Sequence, residues 1–280
     1  MLPDAAAEFE SQMTAQGMRC TYFGCENPHA EQLAAGRCRI LIGSQPILTV
    51  RDWRQIKAQS SGLRAQIKRG RRRIAIVTLD AALIRSDATL RMQLDDCLCA
   101  WLQTRRAPQM GFAADGRMAA HLEYFHRVSA AVDAARQIQA LICVSQIRSG
   151  QRFIAEHIAR RPTAPNGVVE ALVDHLMLEG HLPPDAHVSL GLTALSERYL
   201  SYVPRNPLSF QIARYVARRW GNWFYNFAGL EQFRHRLCPT RWEPVFIVSD
   251  RRIAAPELAF GLVRLFFHSG TYVRRPKSWQ

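Results

Sequence analysis

The residues best suited to chemistry lie in the second half of the chain. Gly221 to Pro244 mixes large rings with cations: Trp223, Phe224 and Tyr225 stand in a row, Asn226-Phe227 and Gly229-Leu230 follow, and Phe233-Arg234-His235-Arg236 leads into Pro239-Thr240-Arg241-Trp242-Glu243-Pro244. A core segment would be apolar and a solvated loop polar. Rings interleaved with cations suit a surface that meets a large anionic partner. The alternative reading is a core-edge helix, a turn and a strand. Upstream, Pro165-Asn166-Gly167 sets Glu170 in the first turn of a helix, where the macrodipole favours a carboxylate, although ordinary capping explains the same pattern. Arg160 and Arg161 precede that turn, with Glu156 and His157 just before them; His157 is a candidate base. Ser189-Leu190-Gly191-Leu192-Thr193 reads as a strand ending in a polar turn, a usual place for a binding edge.

Several chemistries lack their signatures. The chain has no GxxxxGK(S/T), no GxGxxG after a strand and no GxSxG elbow, which removes the main support for nucleotide hydrolysis, dehydrogenase and serine-hydrolase readings. It also lacks the R/QxxGxG/A loop that would hold a coenzyme A pyrophosphate on backbone N–H groups. Seven cysteines without a CxxC, and no HExxH, predict free thiols in a reducing cytosol and no metal site.

The elements that must position these residues follow from periodicity. Helices are expected over residues 5–16, Pro28–Ala35, Asp52–Arg73 with a break near Ser60-Ser61-Gly62, Ala88–Thr104, Arg152–Arg160, Val168–Leu178, Ser209–Trp220 and Pro256–Phe267. Strands are expected over Cys20–Gly24, Ile74–Leu79, Val128–Ala134, Ile138–Val144, Val188–Leu192 and Val245–Val248. Ile40–Ile42 and Ile47–Val50, parted by Gly43-Ser44-Gln45-Pro46, predict a hairpin. In Ser209–Trp220, Ile212, Ala213, Val216, Ala217 and Trp220 form one face and Gln211, Arg214, Tyr215 and Arg218 the other. Arg51–Arg73 carries nine basic residues and one acid, and Lys57, Arg64 and Lys68 flank its apolar stripe.

The chain of 280 residues is 48% hydrophobic with a net charge of +14. That length fits two domains at roughly 100–200 residues each, and residues 105–117, with Pro108 and two glycines, mark the expected boundary. The charge attracts nucleic acid or an anionic membrane. MLPDAAAEFE is no signal peptide, and no apolar run is long enough to cross a bilayer.

Three segments together resemble the C-terminal catalytic domain of phosphatidylglycerol lysyltransferases (DUF2156), the aminoacyl-tRNA-dependent lipid aminoacylases. Arg160 to Glu170 is similar to R-x-P-x-A-P-N-G-x-x-D/E. Val188 to Ser196 is like a strand ending in L-G-x-x-P-L-S. Tyr225 to Pro244 resembles Y-N-F-x-G-L-x-x-F/Y-K-x-K-F-x-P-x-W-x-P. The departures are arginines at Arg234 and Arg236 for lysines, Ala194 for a proline, and His157 where an acid is expected.

The resemblance implies a mixed α/β (α+β) fold of two tandem acetyltransferase-like (GNAT) halves, residues 1–110 and 111–280, with mixed central sheets flanked by helices. It implies an aminoacyltransferase working from aminoacyl-tRNA as co-substrate, with no cofactor and no metal. The acceptor would be a hydroxyl of phosphatidylglycerol or another anionic lipid. Transfer to a soluble small molecule, a non-catalytic RNA- or membrane-binding role and an acyl-CoA-dependent reaction are the alternatives. Arg234, Arg236 and His157 would be catalytic. Arg160, Glu170, Asn166, Tyr225 and Asn226 would hold substrate. Arg64, Lys68, Arg71, Arg72, Arg214 and Arg218 would meet tRNA or other anions. The protein would be cytoplasmic or peripheral on the inner face of the membrane, with a separately encoded membrane protein as a further partner.

Overall fold

The structure is a computed structural model that describes residues 2–104, 125–148, 151–198, 206–220, 226–250 and Glu257. The expected boundary at 105–117 lies outside these residues, as does the expected helix Pro256–Phe267 apart from Glu257.

The first part of the chain forms α1 (Leu2–Ala15), β1 (Thr21–Glu26), α2 (Asn27–Leu33), β2 (Arg37–Thr49), α3 (Trp53–Gln59), α4 (Ser61–Arg71), β3 (Ala75–Leu79), α5 (Ala81–Ser86) and α6 (Ala88–Gln103). The later part forms β4 (Arg127–Val132), β5 (Ile138–Arg148), β6 (Arg152–Arg160), α7 (Val168–Glu179), β7 (His187–Ser189), β8 (Thr193–Ala194), α8 (Leu208–Trp220), α9 (Phe227–Arg236) and β9 (Arg241–Asp250). The strands make one mixed sheet in the order β1-β9-β2-β7-β6-β5-β4-β3, with β8 also paired to β2. Among the described strands only β6 and β7 pair in parallel, as α7 crosses between them. The mixed α/β architecture with flanking helices expected from the sequence is thus present. Both halves contribute to the sheet: β3 pairs with β4, and β2 pairs with β7, β8 and β9.

Two expectations are corrected. The hairpin at Gly43–Pro46 does not form; Arg37–Thr49 is one continuous strand. Gly43 serves a bulge against β9 and a close approach instead, since a Cβ there would lie 2.3 Å from the Thr193 carbonyl oxygen. Arg152–Arg160 is a strand, not a helix. Phe153 and Ala155 face one core while Ala159 faces another, and the register of β6 on β5 slips between Ala155 and His157. A bulge at Glu156 therefore switches which face the apolar residues meet.

Helices cover both sides of the sheet. Trp53, Leu63 and Ile67 of α3 and α4 pack with Val168, Leu172 and Leu176 of α7. Ile84, Leu94 and Leu98 of α5 and α6 cover Val128, Leu141 and Cys143. Ala30 and Leu33 of α2 cover Leu41, Phe246 and Val248. Ser60 accepts a hydrogen bond from the Leu63 N–H and caps α4, so the Ser-Ser-Gly break is a helix start.

Candidate active site

Helix α9 carries the two arginines of the aromatic-basic stretch. Asn226 begins it by accepting a hydrogen bond from the Gly229 N–H at 2.7 Å, and a Cβ on Gly229 would strike the Asn226 side chain at 2.3 Å. Asn226 and Gly229 thus build the helix start. Leu237 is buried in the α4–α7 core with Phe233 packed against it. This seating aims Arg234 at the turn after β7, where its Nη1 donates to Gly191 O at 2.9 Å and to Thr193 Oγ1 at 2.8 Å. Gly191 has φ +80, a conformation that presents its carbonyl at low steric cost. Arg236 is exposed at the helix C-terminus. Tyr225 lies outside the described residues.

Behind Gly191 runs a polar chain that sequence reasoning missed. The Gly191 N–H donates to Ser189 Oγ at 3.0 Å, and Ser189 Oγ donates to Gln45 Oε1 at 2.8 Å. Gln45 Nε2 donates to Glu26 Oε1 at 2.8 Å. Arg152 Nη2 reaches both Glu26, at 3.1 Å, and Glu243, at 2.7 Å, and Arg241 Nε donates to Glu243 Oε1 at 2.8 Å. Burial alone would push the Glu243 carboxyl up, but Arg152 and Arg241 outweigh it and the net shift is downward. Glu243 stood in plain view within the third motif. Gln45 was hidden by its turn-like neighbours, and Arg152 by the mistaken helix.

His157 is buried on the α5–α6 side of the sheet, opposite Cys143 of β5. Its ring meets the edge of Phe125 with centroids 5.5 Å apart, and burial holds its pKa below the ordinary imidazole range. Arg234 is carried by a helix packed on the other core, so the structure does not bring His157 and Arg234 together. Arg160 ends β6 and is exposed, as is Asn166. Gly167, with φ +87, lets the turn press against α4: a Cβ there would sit 2.0 Å from Gln66 O, and one on Gly70 would sit 2.3 Å from Gly167 O. The Pro-Asn-Gly turn is therefore a docking point for the basic helix, and it places half-buried Glu170 in the first turn of α7.

Asp174, one turn beyond Glu170, is a second residue whose role the sequence concealed. It is 2% exposed. It accepts from Trp53 Nε1 at 2.9 Å and Lys57 Nζ at 2.8 Å, and Arg71 Nη2 lies 3.3 Å away. This carboxylate fastens α3 and α4 to α7. Lys57, Arg64, Lys68, Arg71 and Arg72, with Ile67, line an open groove. Arg71 also meets Glu179, and Arg64 donates to the carbonyls of Lys57 and Ala58. The four groove cations expected from the sequence are thus gathered on one surface, two of them already engaged by the protein.

Helix α8 turns two of the cations expected to meet anions, Arg214 and Arg218, onto the protein itself. Arg214 pairs with Glu197. Arg218 Nη1 donates to Leu195 O at 2.8 Å and lies 3.4 Å from Glu231 of α9, which also accepts from Arg198. Gln211 donates to Asn206 O. Gln211, Arg214 and Arg218 thus turn toward the protein, while Tyr215, expected on their face, turns out with Ile212 and Val216. In this arrangement Arg214 and Arg218 hold helices.

The three motif segments meet. Ala164, Val168 and Val169 from the first, Val188 and Leu190 from the second and Leu237 from the third share one core, and Arg234 touches the second directly. Among the described residues no group of His, Cys, Asp or Glu could hold a metal ion. None of the described helices is long and apolar enough to cross a membrane.

Residues 1–249 match the family described as phosphatidylglycerol lysyltransferase, C-terminal. The chain belongs to this family, and with it to the transferases of the lysylphosphatidylglycerol synthase type. Among solved structures it is similar to L-PGS from Bacillus licheniformis, at TM-score 0.73 and 16% identity over 94% of this chain and 78% of that one. The DUF2156 C-terminal domain from Agrobacterium fabrum superimposes at TM-score 0.70 and 16% identity, over 96% and 79%. A conserved protein of unknown function from Bacteroides thetaiotaomicron follows at TM-score 0.60 and 11% identity, over 89% and 75%. At these identities the likeness establishes the fold. No curated protein matches the chain.

Proposed function

We propose that the protein moves an amino acid from aminoacyl-tRNA to a hydroxyl of an anionic lipid, with phosphatidylglycerol as the acceptor. The observation that carries this reading is the seating of Arg234, fixed by Gly191 O and Thr193 Oγ1 where the three motif segments share a core. In the reaction the lipid hydroxyl oxygen attacks the aminoacyl ester carbon and the bond to the tRNA 3′ ribose oxygen breaks. The hydroxyl proton ends on that ribose oxygen, relayed by the amino group of the substrate. No covalent enzyme intermediate is needed. Arg234 is preorganised to face developing negative charge, which is where a fixed cation lowers a barrier most. Arg236 is free to meet the tRNA 3′ end. Arg160, Asn166 and Glu170 lie on the segment assigned to the aminoacyl group. Lys68 and Arg72, with Arg64 and Arg71 beside them, supply phosphate contacts along the groove. We assign no proton transfer to His157, whose ring is packed on the opposite core.

The test is incubation with a pool of radiolabelled aminoacyl-tRNAs and phosphatidylglycerol vesicles. Label should enter the lipid, and Arg234→Ala should slow transfer by roughly 100-fold, the cost of one lost oxyanion partner. Label in a water-soluble product instead would replace the lipid acceptor. No transfer from any tRNA would sink the proposal.

A further inference from the structure

We infer that the outward face of α8 is a docking surface for an anionic lipid bilayer, an inference that rests on reading the acceptor as a lipid. Leu208, Ile212, Tyr215 and Val216 are 71%, 57%, 70% and 49% exposed. Their spacing of four, three and one residues places them within an arc of roughly 100° at 100° per residue. They are four of the ten large apolar side chains exposed among the described residues; the other six are scattered over α1, the segment after it, β3, α5, α6 and β5. Arg219, also exposed, closes the same arc.

The orientation is enforced by the helix's other side. Phe210 packs against the Ile40–Ile247 core. Arg214 pairs with Glu197, Arg218 with Leu195 O and Glu231, and Gln211 with Asn206 O. Rotating the stripe inward would break all four contacts, so the protein holds an apolar face toward solvent. A helix with a continuous apolar stripe and adjoining cations is the pattern that lies in the bilayer interface, with the apolar side chains below the headgroups. Tyr215 suits that depth, with an apolar ring and a polar tip, and Arg219 can extend its guanidinium to the phosphates. The net charge of +14 favours an anionic surface and repels a second copy of the chain.

The experiment is co-sedimentation of the full chain with phosphatidylglycerol-containing and with phosphatidylcholine vesicles, comparing the wild type with Ile212→Asp/Val216→Asp. Thermal melting and oligomeric state are measured without lipid. The expected result is partition onto the anionic vesicles that the double variant weakens about tenfold or more, with unchanged melting and a monomer throughout. Equal partition of variant and wild type would overturn the inference. So would a variant that melts several degrees lower, since the stripe would then be covered by the chain itself. A wild-type oligomer that the variant dissolves would assign the face to a second copy. The assay contains no aminoacyl-tRNA. Vesicle binding without transfer would therefore overturn the transferase reading alone, and transfer without vesicle binding would overturn this surface alone.

Discussion

Helices α4 and α8 are both short, arginine-rich and amphipathic, and they are installed in opposite senses. α4 buries Leu63 and Ile67 and shows Lys68 and Arg69 to solvent, with Arg72 exposed just beyond its end. α8 shows Leu208, Ile212 and Val216 and turns Arg214 and Arg218 inward. Periodicity defines two faces, and the neighbours decide which is inside. For α4 the neighbour is the apolar flank of α7, with one buried carboxylate, Asp174, to receive Trp53, Lys57 and Arg71. For α8 the neighbours are Glu197, Glu231 and a bare carbonyl at Leu195, which only a polar face can satisfy.

The contrast can be broken most forcefully at Asp174. Asp174→Ala leaves the buried Trp53 indole N–H without its acceptor and releases Lys57 and Arg71, both partly exposed, and should cost about 3 kcal/mol in denaturant unfolding. A cost under 1 kcal/mol would mean that α3 and α4 are held by packing alone. Next, Gly167→Ala forces a side chain into Gln66 O from a left-handed backbone, and should lower stability by about 2–3 kcal/mol. On the α8 side, Glu231→Ala frees Arg198 and Arg218, both partly exposed, and should cost only about 1 kcal/mol; the same measurement reads it.

Two smaller effects sharpen the comparison further. Lys68→Glu/Arg72→Glu should leave the melting temperature unchanged. It should also weaken RNA binding and reduce the salt slope of that binding by about 1 per lost phosphate contact. Acid should act on the α4–α7 side through His175, whose Nε2 lies 3.0 Å from Thr78 Oγ1 and whose Nδ1 sits 3.1 Å from Glu179 Oε2. Burial holds its pKa below the ordinary imidazole value, Glu179 opposing. A folded-state pKa below the unfolded one means its contribution is full above about pH 6.5 and is lost as pH falls through the folded value. Melting temperature should therefore decline between pH 7 and 5, and His175→Gln should flatten that decline.

Most element types were legible because their periodicity survives in single segments: α6, α7, β4, β5 and the capped restart at Ser60 all follow local rules. β6 was misread for a specific reason. Arg152, Glu156 and Arg160 stand four apart, the spacing of one helical face, and the bulge at Glu156 sends Ala155 and His157 to opposite sides, erasing the alternation of a strand. The three motif segments were visible as strings, and Arg234 could be singled out there. Its partners could not, since Gly191 and Thr193 meet it only after folding. The chain from Ser189 through Gln45, Glu26 and Arg152 to Glu243 joins five strands drawn from both ends of the sequence. No local pattern carries that information.

Strand β2 has a consequence for how the protein comes to be made. It is flanked by β9 on one side and by β7 and β8 on the other, all synthesised long after it. A nascent chain must therefore carry thirteen strand residues, ten of them destined to be buried, with one edge open until β7 and β8 emerge and the other until Asp250 has left the ribosome. Such late pairing makes folding slow and exposes a sticky ribbon in the meantime. Separately expressed pieces cut between α6 and β4 should fail to fold alone and recover a native far-ultraviolet spectrum only when mixed.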